Sequence, residues 1–301
     1  MVSKKMLPLQ DAINIIIMIH KERISELEKI ASQIRRDALR MVHAVQSGHP
    51  GGSLGCADFM AALYFEVMNA DPQHFTQEGT NEDMFFLSNG HISPCLYSAL
   101  ARRGYFDVSE LSTFRKLHTR LQGHPSNSHG LPGVRVASGS LGQGASIALG
   151  VAEAKKMNKD QSLVYVLTGD GELEEGQVWE AFMYAGSKHV DNIILTVDYN
   201  HKQIDGSVEN VMDMLDLPAK FKAFGWEVVE GEGNDMEQLL QALQKAKSLT
   251  GKAKPVAFVM HTEMGYGVDF MCGNNKWHGS APNDEQLAAA LQQIPETLGD
   301  Y

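Results

Sequence analysis

Five short apolar runs punctuate the chain, each bounded by Gly, Pro, Asp, Asn or Ser: 84–87, 163–167, 193–197, 226–229 and 255–260. They are rich in Val, Ile, Leu and Phe and too short for buried helices, so they read as strands of a parallel sheet. Between them the apolar period changes to that of a helix. Ile24, Leu27, Ile30, Ile34, Ala38, Met41 and Val45 mark one amphipathic helix over 24–46. Further helices are expected over 53–69 (capped by Ser53), from about Pro94, over 110–118 (capped by Ser109), and over 142–157, 174–188, 214–224, 235–248 and 284–293. Two polar loops, 119–141 and 265–282, are long for a compact domain, and loops of that length usually carry function. Strands alternating with helices predict an α/β fold: a mainly parallel sheet with helices on both faces, in one domain over 1–301.

Composition narrows the function. The 301 residues carry a net charge of −11, which argues against binding nucleic acid through a basic face. The basic pairs Lys4-Lys5 and Arg35-Arg36 are too short to change that. Cys56, Cys95 and Cys272 form a sparse, odd set without zinc-ligand spacing, as expected of reduced thiols in a cytoplasmic protein. The apolar stretch Ile13 to Ile19 is too short to span a membrane, and no signal-peptide cleavage site clearly follows it. Neither a Walker-type phosphate loop nor a strand-borne dinucleotide fingerprint is present.

The chemistry gathers at strand ends. The run 163–167 leads into Gly169-Asp170-Gly171, and 193–197 into Asp198-Tyr199-Asn200. Both clusters fall at C-terminal strand ends, where open α/β sheets bind ligands. Asp170 and Asn200 offer hard oxygen ligands suited to Mg²⁺ or Ca²⁺, with ligand phosphates completing the shell. The glycines admit close backbone approach, and the helix expected from Glu174 aims its positive end at the same place.

Four loops place a histidine beside Gly or Pro: Gly48-His49-Pro50, Gly90-His91, Gly123-His124-Pro125 and His278-Gly279. A single such histidine is usually a turn or surface residue. Four, one of them on the same sheet edge as Asp170, point to a polyhydroxylated substrate whose hydroxyls neutral imidazoles can hold and deprotonate.

The Gly-Asp-Gly…Asn pair resembles the signature of thiamine diphosphate enzymes. The stretches SGHPGGSLG (47–55), FLSNGHISPCLYSAL (86–100), GHP (123–125), SGSLGQG (138–144), GDGELEEGQVWEA (169–181), VDYNHKQIDG (197–206) and WHGSAP (277–282) sharpen the resemblance to transketolase. They span about residues 25–285, leaving 1–23 as an N-terminal extension to a core of 24–285.

The resemblance implies that Asp170, the Asn200 side chain and the Lys202 carbonyl bind the metal. It implies that Gly169, Gly171, His91 and His278 approach the diphosphate. Gly139 and Leu141 would lie near the pyrimidine, and His49, His124 and His278 would face the substrate. Glu175 stands where the family links the two active sites of a dimer. Ketoacid dehydrogenase α-subunits share the Gly-Asp-Gly…Asn pair but not the histidine motifs. A non-catalytic diphosphate-binding subunit is a third alternative.

A full-length transketolase continues into a pyrimidine-binding domain, which supplies the glutamate that activates the cofactor, and a C-terminal domain. Neither is found here. The resemblance therefore implies an N-terminal subunit of a split transketolase, or a fragment of a longer one; as a subunit it would be inactive without a pyrimidine-domain partner and assembled as a heterotetramer around its own homodimer. The implied reaction moves a two-carbon ketol unit from a ketose phosphate to an aldose phosphate. His261 and Glu263 stand where split-type subunits often carry lysine.

Overall fold

The five apolar runs form one fully parallel sheet in a computed structural model, which describes the backbone of residues 9–301 and side chains from 20 onward. Lys4, Lys5 and the side chains of 13–19 lie outside the described residues. The sheet strands are β1 (Met84–Leu87), β2 (Val164–Gly169), β3 (Ile193–Tyr199), β6 (Glu227–Glu232) and β7 (Val256–His261). Their spatial order is β1-β2-β3-β7-β6. A two-residue antiparallel hairpin, β4 (Lys202–Gln203) with β5 (Gly206–Ser207), follows β3 where the sequence reads as irregular.

The helices are α1 (Leu9–Val45), α2 (Pro50–Gly55), α3 (Ala57–Ala62), α4 (Ser93–Arg103), α5 (Gln143–Met157), α6 (Gly176–Ser187), α7 (Val208–Met212), α8 (Leu217–Ala223), α9 (Met236–Leu249) and α10 (Asp284–Gln293). They cover both faces, as the alternation of strands and helices requires. On one face α1, α3, α4 and α9 pack on Phe85, Leu87, Tyr165, Leu167, Phe258 and Met260. On the other, α5, α6 and α8 pack on Met84, Phe86, Val164, Val166, Ile193 and Leu195. Neighbouring strand residues thus feed opposite cores, which explains why the runs are continuously apolar rather than alternating.

Several helix boundaries differ from expectation for local reasons. The helix expected over 24–46 starts at Leu9, so 1–23 is not separate from it throughout. The helix expected from Ser53 starts at Pro50, and the Ser53 hydroxyl donates to the His49 carbonyl instead of capping. It breaks at Cys56, resumes as α3 and ends in a π turn at Leu63–Val67. In place of a helix over 110–118 there is a 3-10 turn, Val108–Thr113, capped by Asp107 rather than Ser109. The helix expected at 214 waits for the Asp216 cap and starts at Leu217. The one expected at Glu174 starts at Gly176 behind a separate 3-10 turn, Gly171–Glu174, because the extended backbone of Glu175 interrupts the winding.

Arg35 and Arg36 are structural. Arg35 is buried against Asp58, and Arg36 pairs with Asp300 at 2.7 Å. Among the described residues no helix is long and apolar enough to cross a membrane.

Candidate active site

Three adjacent strands end side by side. β1 delivers Ser88 to His91, β2 delivers Asp170, and β3 delivers Asn200 to one edge of the sheet. Gly169 pairs in register with Asp198, and the Asp170 amide donates to the Asp198 carbonyl at 3.1 Å. Above this edge lies a cavity of about 250 Å³. His49, His91, His124, Gly139, Leu141, Gly169, Asp170, Gly171, Asn200, Lys202 and His278 all line it. Glu175 does not: it is exposed, at the N-terminus of α6.

The floor is acidic. Asp170 is 1% exposed and accepts the Gly171 amide at 2.8 Å and the His201 amide at 2.5 Å. Burial, reinforced by the nearby Asp198 carboxylate, pushes its pKa up to about 8. No lysine or arginine pairs with it among the described residues, so no cationic side chain there offsets the cost of ionising this buried carboxyl group. Asn200 lies beside it, its Oδ1 accepting the Lys202 amide at 2.9 Å and its Nδ2 donating to Asp198 Oδ2 at 2.9 Å. Asp198, itself buried, also accepts from the Thr262 hydroxyl.

Among the described residues no three His, Cys, Asp or Glu side chains are grouped to hold a metal. A cation here would rest on one carboxylate, an amide and backbone oxygen, with ligand oxygens supplying the rest. That hard, partly filled donor set fits Mg²⁺ or Ca²⁺ carrying phosphate. Two buried polar atoms of the cavity residues, Asn89 Oδ1 and His49 Nδ1, have no hydrogen-bond partner, as expected where a polar ligand completes the network. Gly139, at φ +123°, lies so close to His124 that a Cβ would sit 2.8 Å from its ring.

The wall is imidazole. His49 is central, with ring centroids 5.0 Å from His91, 5.6 Å from His278 and 6.4 Å from His124. Burial, then the neighbouring His278, Arg115 and His124, lowers the His49 pKa to about 4. Burial also lowers those of His91, His124 and His278. The cluster is neutral at physiological pH, each ring offering one donor and one acceptor.

Two acidic residues escape sequence reasoning. Glu172, 3% exposed, lines the cavity and accepts from the Ser88 hydroxyl and the Gly142 and Gly169 amides. From sequence it is one of three glutamates after the Gly-Asp-Gly turn, with no sign of which one turns inward. Asp198 has a signal: it is an acid at the end of an otherwise apolar strand. Its role, orienting Asn200, needs coordinates to see.

The chain matches the family described as "Transketolase, thiamine diphosphate binding domain" over residues 27–295. It is 34% identical to an apulose-4-phosphate transketolase subunit of Phocaeicola vulgatus over 276 residues, 92% of this chain and 96% of that protein. It is 36% identical to a 6-deoxy-6-sulfo-D-fructose transketolase subunit of a Clostridium species, covering 91% of this chain and 98% of that protein. Among solved structures it is similar to transketolase from Leishmania mexicana, with a TM-score of 0.82 and 34% identity, covering 89% of this chain and 41% of that one. The chain thus spans nearly the whole of the subunit-type relatives but about two-fifths of that solved transketolase.

Proposed function

Because the chain belongs to the transketolase family, we propose that it is the diphosphate-binding subunit of a heteromeric transketolase. It acts with a second subunit that carries the pyrimidine-binding domain. In this reading the pair moves a two-carbon ketol unit from a ketose phosphate to an aldose phosphate, using thiamine diphosphate and Mg²⁺. The carrying observation is the cavity itself: a buried Asp170, with no lysine or arginine partner among the described residues, beside Asn200 on the floor, and four neutral imidazoles on the wall.

Asp170, Asn200 and the Lys202 carbonyl would hold the cation. Gly169, Gly171, His91 and His278 would meet the diphosphate, and Gly139 and Leu141 the pyrimidine side. When bound, the cofactor supplies the carbanion chemistry. This chain's own part is orientation and proton handling. His49, His124 and His278, neutral at working pH, would donate to or accept from sugar hydroxyls at their ring nitrogens. The buried floor excludes water from the charged groups. Glu175, exposed beyond the cavity, is suited to a contact across a homodimer within a heterotetramer.

The relatives' names include a phosphorylated and a sulfonated sugar, and both are polyhydroxylated anions of the class the imidazole wall suits. Product analysis of the reconstituted complex with xylulose 5-phosphate and ribose 5-phosphate tests the reading. Two-carbon exchange supports it. Turnover of pyruvate instead would favour a ketoacid dehydrogenase subunit, and bound cofactor without turnover a non-catalytic one.

A further inference from the structure

We propose that Glu172 is a positioning residue that ties together the three loops forming the diphosphate side of the cavity; this rests on the cofactor reading above. Its Oε1 accepts both the Ser88 hydroxyl and the Gly142 amide, the latter at 2.7 Å, and its Oε2 accepts the Gly169 amide at 3.1 Å. The donors come from three places: the turn after β1, the residue before α5, and the last residue of β2. Each stands next to cavity residues. Ser88 precedes Asn89 and His91, Gly142 follows Leu141, and Gly169 precedes Asp170 and Gly171.

The packing leaves little slack in this arrangement. A Cβ on Gly144, in the first turn of α5, would fall 2.4 Å from Ser88 Oγ, so the β1 turn and the start of α5 already touch. Gly142 itself holds φ +81°. Glu172 locks that contact from beneath and extends it to the Gly-Asp-Gly turn.

A carboxylate is chemically specific here. Glu172 is buried and forms no ion pair among the described residues. Three donors converging on two anionic oxygens compensate for that burial. A glutamine of the same shape cannot replace it. Its NH₂ would confront either the Gly169 N–H or the Gly142 N–H, leaving at least one buried donor without an acceptor. Both oxygens are engaged by this chain's own groups, so Glu172, although it lines the cavity, serves to hold the segments that meet the ligand.

The test uses Glu172→Gln in the full chain. First, amide hydrogen exchange is followed without any ligand. We expect the Gly142 or Gly169 amide to exchange on the order of tenfold faster, with the β7 amides (Val256–His261) unchanged. Unchanged exchange at both glycines overturns the tie. Second, magnesium thiamine diphosphate is titrated calorimetrically into wild type and variant, each with the pyrimidine-domain partner. We expect roughly tenfold weaker binding by the variant. Faster exchange with unchanged affinity overturns the positioning role alone. No binding by the wild-type complex overturns the cofactor reading, and this role with it. Should Glu172→Gln fail to fold, Ser88→Ala removes one donor and leaves the carboxylate. A few-fold loss of affinity then supports the role, and full affinity overturns it.

Discussion

Asp170 Oδ2 accepts the His201 amide hydrogen at 2.5 Å, so the carboxylate proposed as a metal ligand also pins the turn that carries Asn200 and Lys202. The two strand-end clusters are physically joined before any ligand arrives. Asp170→Ala is therefore expected to lose both the anionic ligand and the pin, weakening Mg²⁺-dependent thiamine diphosphate binding by at least about 100-fold. Asp170→Asn keeps an acceptor for an amide but loses the charge. If the charge is what binds the cation, calorimetry of the reconstituted complex should show Asp170→Asn nearly as impaired as Asp170→Ala. Near-normal binding by Asp170→Asn would leave the pin as the residue's only role.

The histidines should divide by ligand. His49→Ala and His124→Ala are expected to lower turnover by roughly 10- to 1,000-fold while leaving cofactor affinity almost unchanged. His91→Ala should weaken the cofactor. The division is demanding, because the His49 and His91 rings are only 5.0 Å apart. Steady-state kinetics at saturating cofactor, paired with cofactor titrations, separates the two. Cofactor loss in His124→Ala as severe as in Asp170→Ala would refute it.

Low histidine pKa values give stability a pH dependence of known sign. His49 sits near 4 in the folded chain against an ordinary 6.5, so between those values the unfolded chain binds more protons. Its contribution to stability is full above about 6.5 and is lost as pH falls through that window. Urea denaturation of His49→Ala should accordingly show a weaker loss between pH 7 and pH 5 than wild type, measured in the same buffers. An equal or steeper loss would mean that His49 is not held neutral by the fold. Arg115 contributes to that effect. Its guanidinium donates to Ser47 Oγ at 2.9 Å, reaches the Gly123 carbonyl, and lies near enough to lower both the His49 and His124 pKa. Arg115→Met should raise both, as read by NMR titration of the imidazole resonances.

The sheet and the gathering of polar residues at its edge were legible because both follow local rules. Continuous apolar runs mark strands buried on both faces, and the polar residues that cut them off fall at the ligand-binding edge. That logic brought Asp170, Asn200 and His91 together from residues scattered over more than a hundred positions. What sequence left hidden depends on direction. Three glutamates follow the Gly-Asp-Gly turn, and only the 3-10 winding of Gly171–Glu174 turns Glu172 inward while Glu175 faces out. The 110–118 helix failed for a similar reason: Asp107, two residues before the expected Ser109 cap, captured the Ser109 amide and set a tighter turn.

A test of packing alone lies away from the site. Gly186 on α6 faces the end of α8, and a Cβ there would stand 1.8 Å from the Phe224 carbonyl oxygen. Backbone cannot move aside as a flexible side chain can, so α6 and α8 must separate. Gly186→Ala should destabilise the fold by about 3 kcal/mol. Urea denaturation reads the loss, and cofactor affinity measured well below the midpoint should change little. A stability loss under about 0.5 kcal/mol would mean the contact relaxes freely.

The cavity gathers groups suited to the diphosphate end of the cofactor, yet its acidic residues are already engaged. Asp170 and Asp198 sit on the floor beside Asn200, and Glu172 is held by three donors. Glu174 accepts from Gln203 Nε2 at 2.6 Å, and Glu175 lies outside the cavity. None of these is left free to activate the aminopyrimidine, as the proposed reaction would need. Ile204, at the cavity rim, is 63% exposed, and Val211, Met212 and Leu215 are also exposed. Apolar side chains so placed favour a covering partner. The chain by itself, saturated with Mg²⁺ and thiamine diphosphate, is therefore expected to turn over at under about a hundredth of the rate it reaches once a pyrimidine-domain partner is added. Matched assays of xylulose 5-phosphate consumption, with and without that partner, decide the matter. Full turnover by the chain alone would show that its own residues activate the cofactor and that the split-enzyme reading is mistaken.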